Sequence, residues 1–392
     1  VDDATVAIVG AGPAGLATAL ALARAAPRLA ERVVVLEKER HPREKICAGA
    51  IGARADRVLA DLGVRVDVPS VAVRGLSVRA GGRALTARRG TPAGRVVRRD
   101  EHDAALADAA RTRGIRIVEG TRVTGIALDG RGVRVATSQG ELRARAVVGA
   151  DGVGSAVRRA LGLGRGRLVA RAAEVDTEPV DSDGPRDVLA FDLEERGLVG
   201  YAWDFPTVAG GRELVCRGVY ELAVDGLGEP DGVELGARLA RRLRALGLDP
   251  AAHRIKRFAE RGLAPAEAIA APRVLLVGEA AGIDPALGEG IAQAIEYGAV
   301  AGPYLARRLE DGRLGFEDFR RELGRSRLGF DLAVRARALP FVYGRGRGAL
   351  ERWVTSSEDL ALAGMRWWAG ERVPRWPLAR AAVALGRAAI GG

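Results

Sequence analysis

The sequence predicts an α/β fold: a dinucleotide-binding β-α-β unit at the start, a second and antiparallel sheet, and a helical C-terminal region. Three observations carry this. The β-branched run Val6-Ala-Ile-Val9 runs straight into Gly10, Gly12 and Gly15, spaced G-x-G-x-x-G. The alanine-rich stretch Leu16 to Ala26 reads as a helix, and the apolar run Val33-Val-Val-Leu36 after it ends in Glu37. Two later apolar runs again deliver small residues to a turn, at Gly149-Ala-Asp151-Gly152 and at Gly278-Glu279-Ala-Ala-Gly282.

Each part of the first unit has a physical task. Gly10 permits a tight turn, Gly12 lets the backbone approach a pyrophosphate, and Gly15 lets helix and strand pack closely. The bare helix N-terminus turns unpaired N–H groups and a positive dipole end toward phosphates. Glu37, at the tip of the second strand and followed by Lys38, is placed to accept hydrogen bonds from ribose hydroxyls. The loop Pro42-Arg-Glu-Lys45-Ile-Cys47-Ala48-Gly49 closes on small residues that suit a backbone passing close to a flat ligand. On spacing alone Cys47 reads as a small buried hydrophobe.

Residues 52–63 read as a helix, and residues 71–99 alternate as strands about a Gly81-Gly82 turn. Arg98-Arg99-Asp100 precedes a helix over Glu101 to Arg113, with Asp100 as its N-cap. From Ile115 to Val148 a meander is expected, turning at Gly125, Asp129-Gly130 and Gln139-Gly140, and Ser155 starts a helix. Residues 167–222 predict a second sheet. There Tyr201-Ala-Trp203-Asp-Phe205-Pro206 reads as the wall of an apolar pocket or as an aromatic sheet core. Residues 231–247 form a helix. Strand 273–277 leads through Pro285, Gly288 and Gly290 to a long helix from Ile291 to about Leu309. This second glycine turn again offers free backbone N–H groups. The tail from about Gly312 is helical and carries Trp353, Trp367, Trp368 and Trp376. It packs on the protein's own domains in one reading and lies at a membrane surface in the other.

Composition narrows the function class. Hydrophobic residues are 48% and charged residues 28% of the 392, as in a soluble enzyme. The net charge of +11 comes from 58 arginines and three lysines spread along the chain, and no nucleic-acid motif accompanies them. The two cysteines form no disulfide framework, and the three histidines lack metal-ligand spacing. A reduced, cytoplasmic setting is expected. The apolar start lacks a basic leader region and is read as the β-α-β unit itself.

Taken together, GAGPAG, GADG and GEAAG…P…GEGI resemble the FAD-dependent oxidoreductases with the hydroxylase-type FAD-binding fold, across most of residues 1–310. The resemblance implies a Rossmann-like FAD-binding domain (1–70, 95–170 and 265–311), an inserted antiparallel β-sheet substrate domain (71–94 and 171–264) and a helical region (312–392). It implies FAD contacts from Gly10, Gly12, Pro13, Ala14, Gly15, Glu37, Lys38, Lys45, Cys47, Ala48, Arg99, Asp151, Gly152, Glu279, Pro285, Gly288, Gly290 and Ile291. Glu279 stands where the family usually has aspartate, one methylene longer but still an acceptor for ribitol.

Within that family the chain looks most like the geranylgeranyl reductases. Arg43-Glu-Lys45-Ile-Cys47-Ala-Gly49 resembles their cysteine-glycine loop beside the isoalloxazine, and Tyr201-Ala-Trp203-Asp-Phe205-Pro206 resembles their Y-x-W-x-F-P motif. Thr207 replaces the lysine that usually follows. The resemblance implies hydride transfer from reduced FAD to a polyprenyl double bond, with Cys47 at the reaction centre and Tyr201, Trp203, Phe205 and Pro206 shaping the slot. The proton donor stays open between an ordered water and the Cys47 region. An external donor, NAD(P)H, reduced flavin or a ferredoxin-like protein, supplies electrons, since no second dinucleotide turn of comparable quality is present. Two rivals stand beside this reading: a flavin monooxygenase or halogenase-like enzyme, and a flavin electron carrier.

Overall fold

The computed structural model describes residues 4–373 except 165, 167, 168, 196, 224–232, 265, 285 and 345. Strand Ala4–Val9 is apolar along almost its whole length because it is central, pairing in parallel with Val33–Leu36 on one side and Gly140–Gly149 on the other. Val274–Leu276 and Arg116–Val118 extend this parallel core, also in parallel, on its two sides. The hairpin partners Val123–Asp129 and Gly132–Thr137 join it antiparallel. The first helix is Pro13–Ala25, with proline in its first turn, where a missing N–H costs nothing.

That helix packs most extensively on the long helix Ile291–Glu310. The approach depends on two absent side chains. A Cβ on Gly298 would lie 2.5 Å from Ala17 Cβ, and one on Gly302 would lie 2.4 Å from Ala21 Cβ. Two glycine-alanine contacts one turn apart bring the backbones together and fix where the loop before the long helix must sit.

A seven-stranded sheet runs in the order Lys256–Arg261, Val169–Thr177, Arg212–Ala223, Gly200–Ala209, Val188–Asp192, Gly75–Ala80, Arg83–Arg88. All its pairings are antiparallel except Val188–Asp192 with Gly75–Ala80. A small three-stranded sheet, Ala50–Gly52, Gly94–Val97 and Ser70–Val73, stands between the two large ones in the chain path. After the long helix come Phe319–Arg325, Arg327–Val342, Arg347–Val354 and Glu358–Trp368.

Two local expectations are corrected. Gly125 lies inside strand Val123–Asp129, next to a register shift at Ala136/Thr137, so this glycine marks a bulge and not a turn. The helix after Arg98 begins at Arg99, with Arg98 as a cap that makes no side-chain hydrogen bond. Asp100 therefore sits in the first turn, where it complements the helix dipole. Ser155 does cap its helix, its side chain accepting from the Arg158 N–H.

The helix contact makes a sharp prediction. In an ordinary helix interior Gly→Ala raises stability by about 1 kcal/mol. Gly302→Ala should instead lower it by roughly 1–3 kcal/mol, because the added methyl overpacks Ala21. A fall in the thermal or urea midpoint is the expected result.

Candidate active site

The first turn is built as its glycines require. Gly10 holds φ +104°, and a Cβ there would lie 2.5 Å from the Ala150 carbonyl oxygen. A Cβ on Gly15 would meet the Gly10 oxygen at 2.0 Å, so the helix start is pressed onto the turn. Gly12 faces only Arg43 Nη2, 3.6 Å from a virtual Cβ, and opens onto a cavity. No side chain caps this helix. Its first N–H groups stay available at the cavity wall, an arrangement that fits the pyrophosphate of a dinucleotide.

Around this turn the polar side chains are fixed by one another. Glu37 Oε2 accepts from the Ala11 N–H at 2.9 Å and Oε1 from the Glu39 N–H at 3.1 Å. The carboxylate thus holds the glycine turn itself while remaining on the cavity wall. Arg43 Nε lies 3.5 Å from Glu37 and its Nη2 3.4 Å from Asp103. Arg99 makes a buried two-pronged pair with Asp103, at 2.9 and 2.8 Å. Burial opposes both charges, but the pairing prevails: Arg99 is held more basic than an ordinary guanidinium, and Asp103 far below the carboxylate range. Asp151 Oδ2 accepts from the Ala156 N–H at 2.7 Å, while its Oδ1 is buried with no partner. Glu279 faces Lys45 Nζ at 3.6 Å across the cavity.

The seven-stranded sheet supplies the apolar wall. Strand alternation turns Tyr201, Trp203 and Phe205 to one face, joined by Phe191 and Tyr220. Tyr201 stacks on Tyr220 with centroids 5.1 Å apart, and Phe191 meets Phe205 edge-on at 5.1 Å. Trp203 lies over Gly218, where a Cβ would approach its ring to 2.0 Å. Pro206 falls on the opposite face and does not line the cavity. The cavity is single and continuous, about 2090 Å³, and runs from the glycine turn past Cys47 to the aromatic face.

Cys47 lines this cavity. Its N–H donates to Glu174 Oε1 at 2.9 Å, and its Sγ accepts weakly from the Gly49 N–H at 3.4 Å. Burial pushes the thiol pKa up, against the pull of Arg99, so the group is a neutral thiol at neutral pH. Burial, with Asp176 nearby, also pushes Glu174 up to about 7.

The late loop closes the cavity from the far side. Tyr201 Oη donates to the Leu287 carbonyl at 2.5 Å and Tyr343 Oη to that of Ala286 at 2.6 Å. Arg335 pairs with Asp284 and, at 3.0 Å, with Glu289, and its guanidinium lies 3.9 Å from the Trp367 ring centre. Trp353, Trp367 and Trp368 all line the cavity, and Trp376 lies outside the described residues.

The structure therefore brings around one cavity Gly10, Gly12, Pro13, Ala14, Glu37, Lys38, Lys45, Cys47, Ala48, Arg99, Asp151, Gly152, Tyr201, Trp203, Phe205, Glu279, Gly288, Gly290 and Ile291. Gly15 packs behind the turn, and Pro285 lies outside the described residues. Sequence reading missed Arg43, Phe191, Tyr220, Glu260 and Tyr343 as wall residues. An aromatic or acidic residue at alternate strand positions was the available signal, but strand pairing decides which face meets the cavity. Among the described residues no cluster of His, Cys, Asp and Glu could hold a metal, and no helix is long and apolar enough to cross a membrane.

Residues 3–313 match the family described as FAD binding domain. A search of curated proteins found no match. Among solved structures, a geranylgeranyl bacteriochlorophyll reductase-like protein from Thermoplasma acidophilum superposes with TM-score 0.70 at 19% identity, covering 99% of this chain and 96% of that one. A flavin-dependent brominase gives 0.70 at 17%, covering 95% of each chain. A p-nitrophenol 4-monooxygenase from Pseudomonas putida gives 0.69 at 20%, covering 95% of this chain and all of that one. At these identities the likeness establishes the fold. A similar halogenase was solved in complex with FAD.

Glu174 carries a pH prediction. Because its folded-state pKa is raised, the folded protein keeps a proton that the unfolded chain releases. That stabilisation is complete below the ordinary carboxylate pKa and is lost as pH rises to and through about 7. Glu174→Gln keeps an acceptor for the Cys47 N–H and removes the titration. The variant should gain about 1–3 kcal/mol relative to wild type between pH 5 and pH 8, read as a flatter dependence of the unfolding midpoint on pH.

Proposed function

The chain belongs to the FAD-binding domain family and is an FAD-dependent oxidoreductase, and on that premise we propose that it saturates carbon–carbon double bonds of a polyprenyl, geranylgeranyl-type lipid. The observation that carries this reading is the cavity. Its volume is about twice the upper end of ordinary ligand pockets, ~1,000 Å³, so it has room for a cofactor and a long apolar chain together. Beyond the glycine turn much of its lining is aromatic and aliphatic, with Phe330, Val334 and Leu350 contributed by the C-terminal helices beside Arg335, Arg347 and Glu260. The name borne by the Thermoplasma protein points to the same substrate class.

Bound and reduced, FAD supplies a hydride. The chain's own residues do the rest. The N–H groups after Gly12 would hold its pyrophosphate, and Arg99, Asp151 and Glu279 would complete its binding site, Glu279 as an acceptor for hydroxyls. Cys47, as a neutral thiol, sets the position of the alkene beside the reacting ring. Tyr201, Trp203, Phe205 and Phe191 clamp the chain and exclude water, so that the alkene is held at attack distance in a dry site. An external donor, NAD(P)H, reduced flavin or a ferredoxin-like protein, restores the electrons.

The test is anaerobic. Protein reduced with dithionite should be reoxidised by a geranylgeranyl lipid without oxygen, with hydrogen added to the lipid by mass. Cys47→Ala should keep its FAD and slow this step roughly 10- to 100-fold, as a misplaced reactant does. Flavin that stays reduced until air is admitted would overturn the reading in favour of a monooxygenase.

A further inference from the structure

We propose that Glu260 is the proton donor of this cavity, acting with the Tyr220 hydroxyl beside it; the assignment rests on the reductase reading above. An isolated alkene accepts a hydride poorly unless a proton reaches the neighbouring carbon, and Cys47 alone leaves that proton unassigned.

The sheet register places the pair. Glu260 lies opposite Ala170, and Tyr220 opposite Ala172, on the two strands that flank Val169–Thr177. Only these two alanines stand between them on the inner face, so small side chains leave a gap that the acid and the phenol share. Both residues line the cavity. Glu260 is 6% exposed and Tyr220 2%, and Glu260 Oε1 and Tyr220 Oη are both buried without a hydrogen-bond partner. A buried polar atom left unpaired is costly, and one on a cavity wall is a mark of a group that meets a ligand or passes a proton.

The pair also lies beside the late glycine loop. A Cβ on Gly288 would touch Tyr220 Cε2 at 2.8 Å, so the late glycine loop lies directly on the phenol ring. The charged and titratable groups facing Glu260 are Glu279 and Asp284 from the segment before the long helix, Lys45 from the cysteine loop, and Tyr220 and Tyr201 from the sheet. Burial, helped by Glu279 and Asp284 and opposed by Lys45 and Tyr220, drives the Glu260 carboxyl well above the ordinary range. That shift favours its protonated form, the one able to donate.

The step balances. The O–H bond of Glu260 breaks and a C–H bond forms at one alkene carbon, while the adjacent carbon takes the hydride from reduced FAD. The double bond becomes single, the flavin is oxidised, and Glu260 is left as carboxylate until solvent returns its proton through the cavity.

Two measurements test this on the FAD-loaded protein. Infrared difference spectra at pH 7 should show a protonated carboxyl band that disappears in Glu260→Gln and moves when geranylgeraniol binds. A band absent from wild type, or kept in the variant, would overturn the assignment. In anaerobic single turnovers with geranylgeraniol in D2O, wild type should place two deuteriums per reduced bond, because the hydrogens of Glu260 and of the reduced flavin both exchange with solvent. The rate should fall as pH rises through the elevated Glu260 pKa. Glu260→Gln should retain its flavin absorbance and slow reoxidation about 100-fold, within the range of general-acid effects, and Glu260→Asp should recover part of it. Equal rates in wild type and Glu260→Gln would sink the proton-donor role alone. Failure of wild type to be reoxidised would instead defeat the polyprenyl reading, and the proposal with it.

Discussion

The close approach of two helices sets the geometry on which the rest of this molecule depends. Gly298 and Gly302 let Ile291–Glu310 lie against Ala17 and Ala21 of Pro13–Ala25 at a distance no larger side chain would allow. Because both helices begin at the cavity, their spacing fixes how far Gly288 and Gly290 stand from Gly10 and Gly12. The two glycine turns, far apart in the chain, become opposite walls of one cradle. Dispersion between close backbones is weak per contact and large in sum, so the spacing tolerates little change.

Against that rigid cradle the polar groups are arranged by mutual restraint. Glu37 holds the glycine turn, Asp103 holds Arg99, and Arg335 holds Asp284 and Glu289. Each of these groups is held by its partner while Glu37, Arg99, Arg335 and Glu289 still line the cavity. Glu174 and Glu260 are the opposite case: buried carboxyls without a cation close enough to keep them ionised. Burial moves both toward their neutral forms.

How legible was this in the sequence? The β-α-β unit was readable because its signals are local: Val6 to Gly15, a helix, and Glu37 follow within forty residues. The alternation of Tyr201, Trp203 and Phe205 was equally local, and it also shows why Pro206 was misplaced: one residue further along a strand is the other face. Gly125 was read as a turn because a glycine in an alternating run signals either a turn or a bulge, and only pairing tells them apart. Tyr220 and Glu260 escaped for a deeper reason. They meet through Val169–Thr177, a third strand, so their neighbourhood exists only in the register of the sheet. The roles of Trp367 and Trp368 depended likewise on where the last helix folds back.

That last helix separates two inheritances. The family match ends at residue 313, and both glycine turns, Glu37, Arg99, Asp151 and Glu279 lie before it. Trp353, Met365, Trp367 and Trp368, which finish the cavity, lie after it. Selection can therefore exchange the distal wall, and with it the guest, while leaving the redox apparatus untouched. The reductase-like protein, the brominase and the p-nitrophenol monooxygenase each share this fold with fewer than one residue in four identical to this chain.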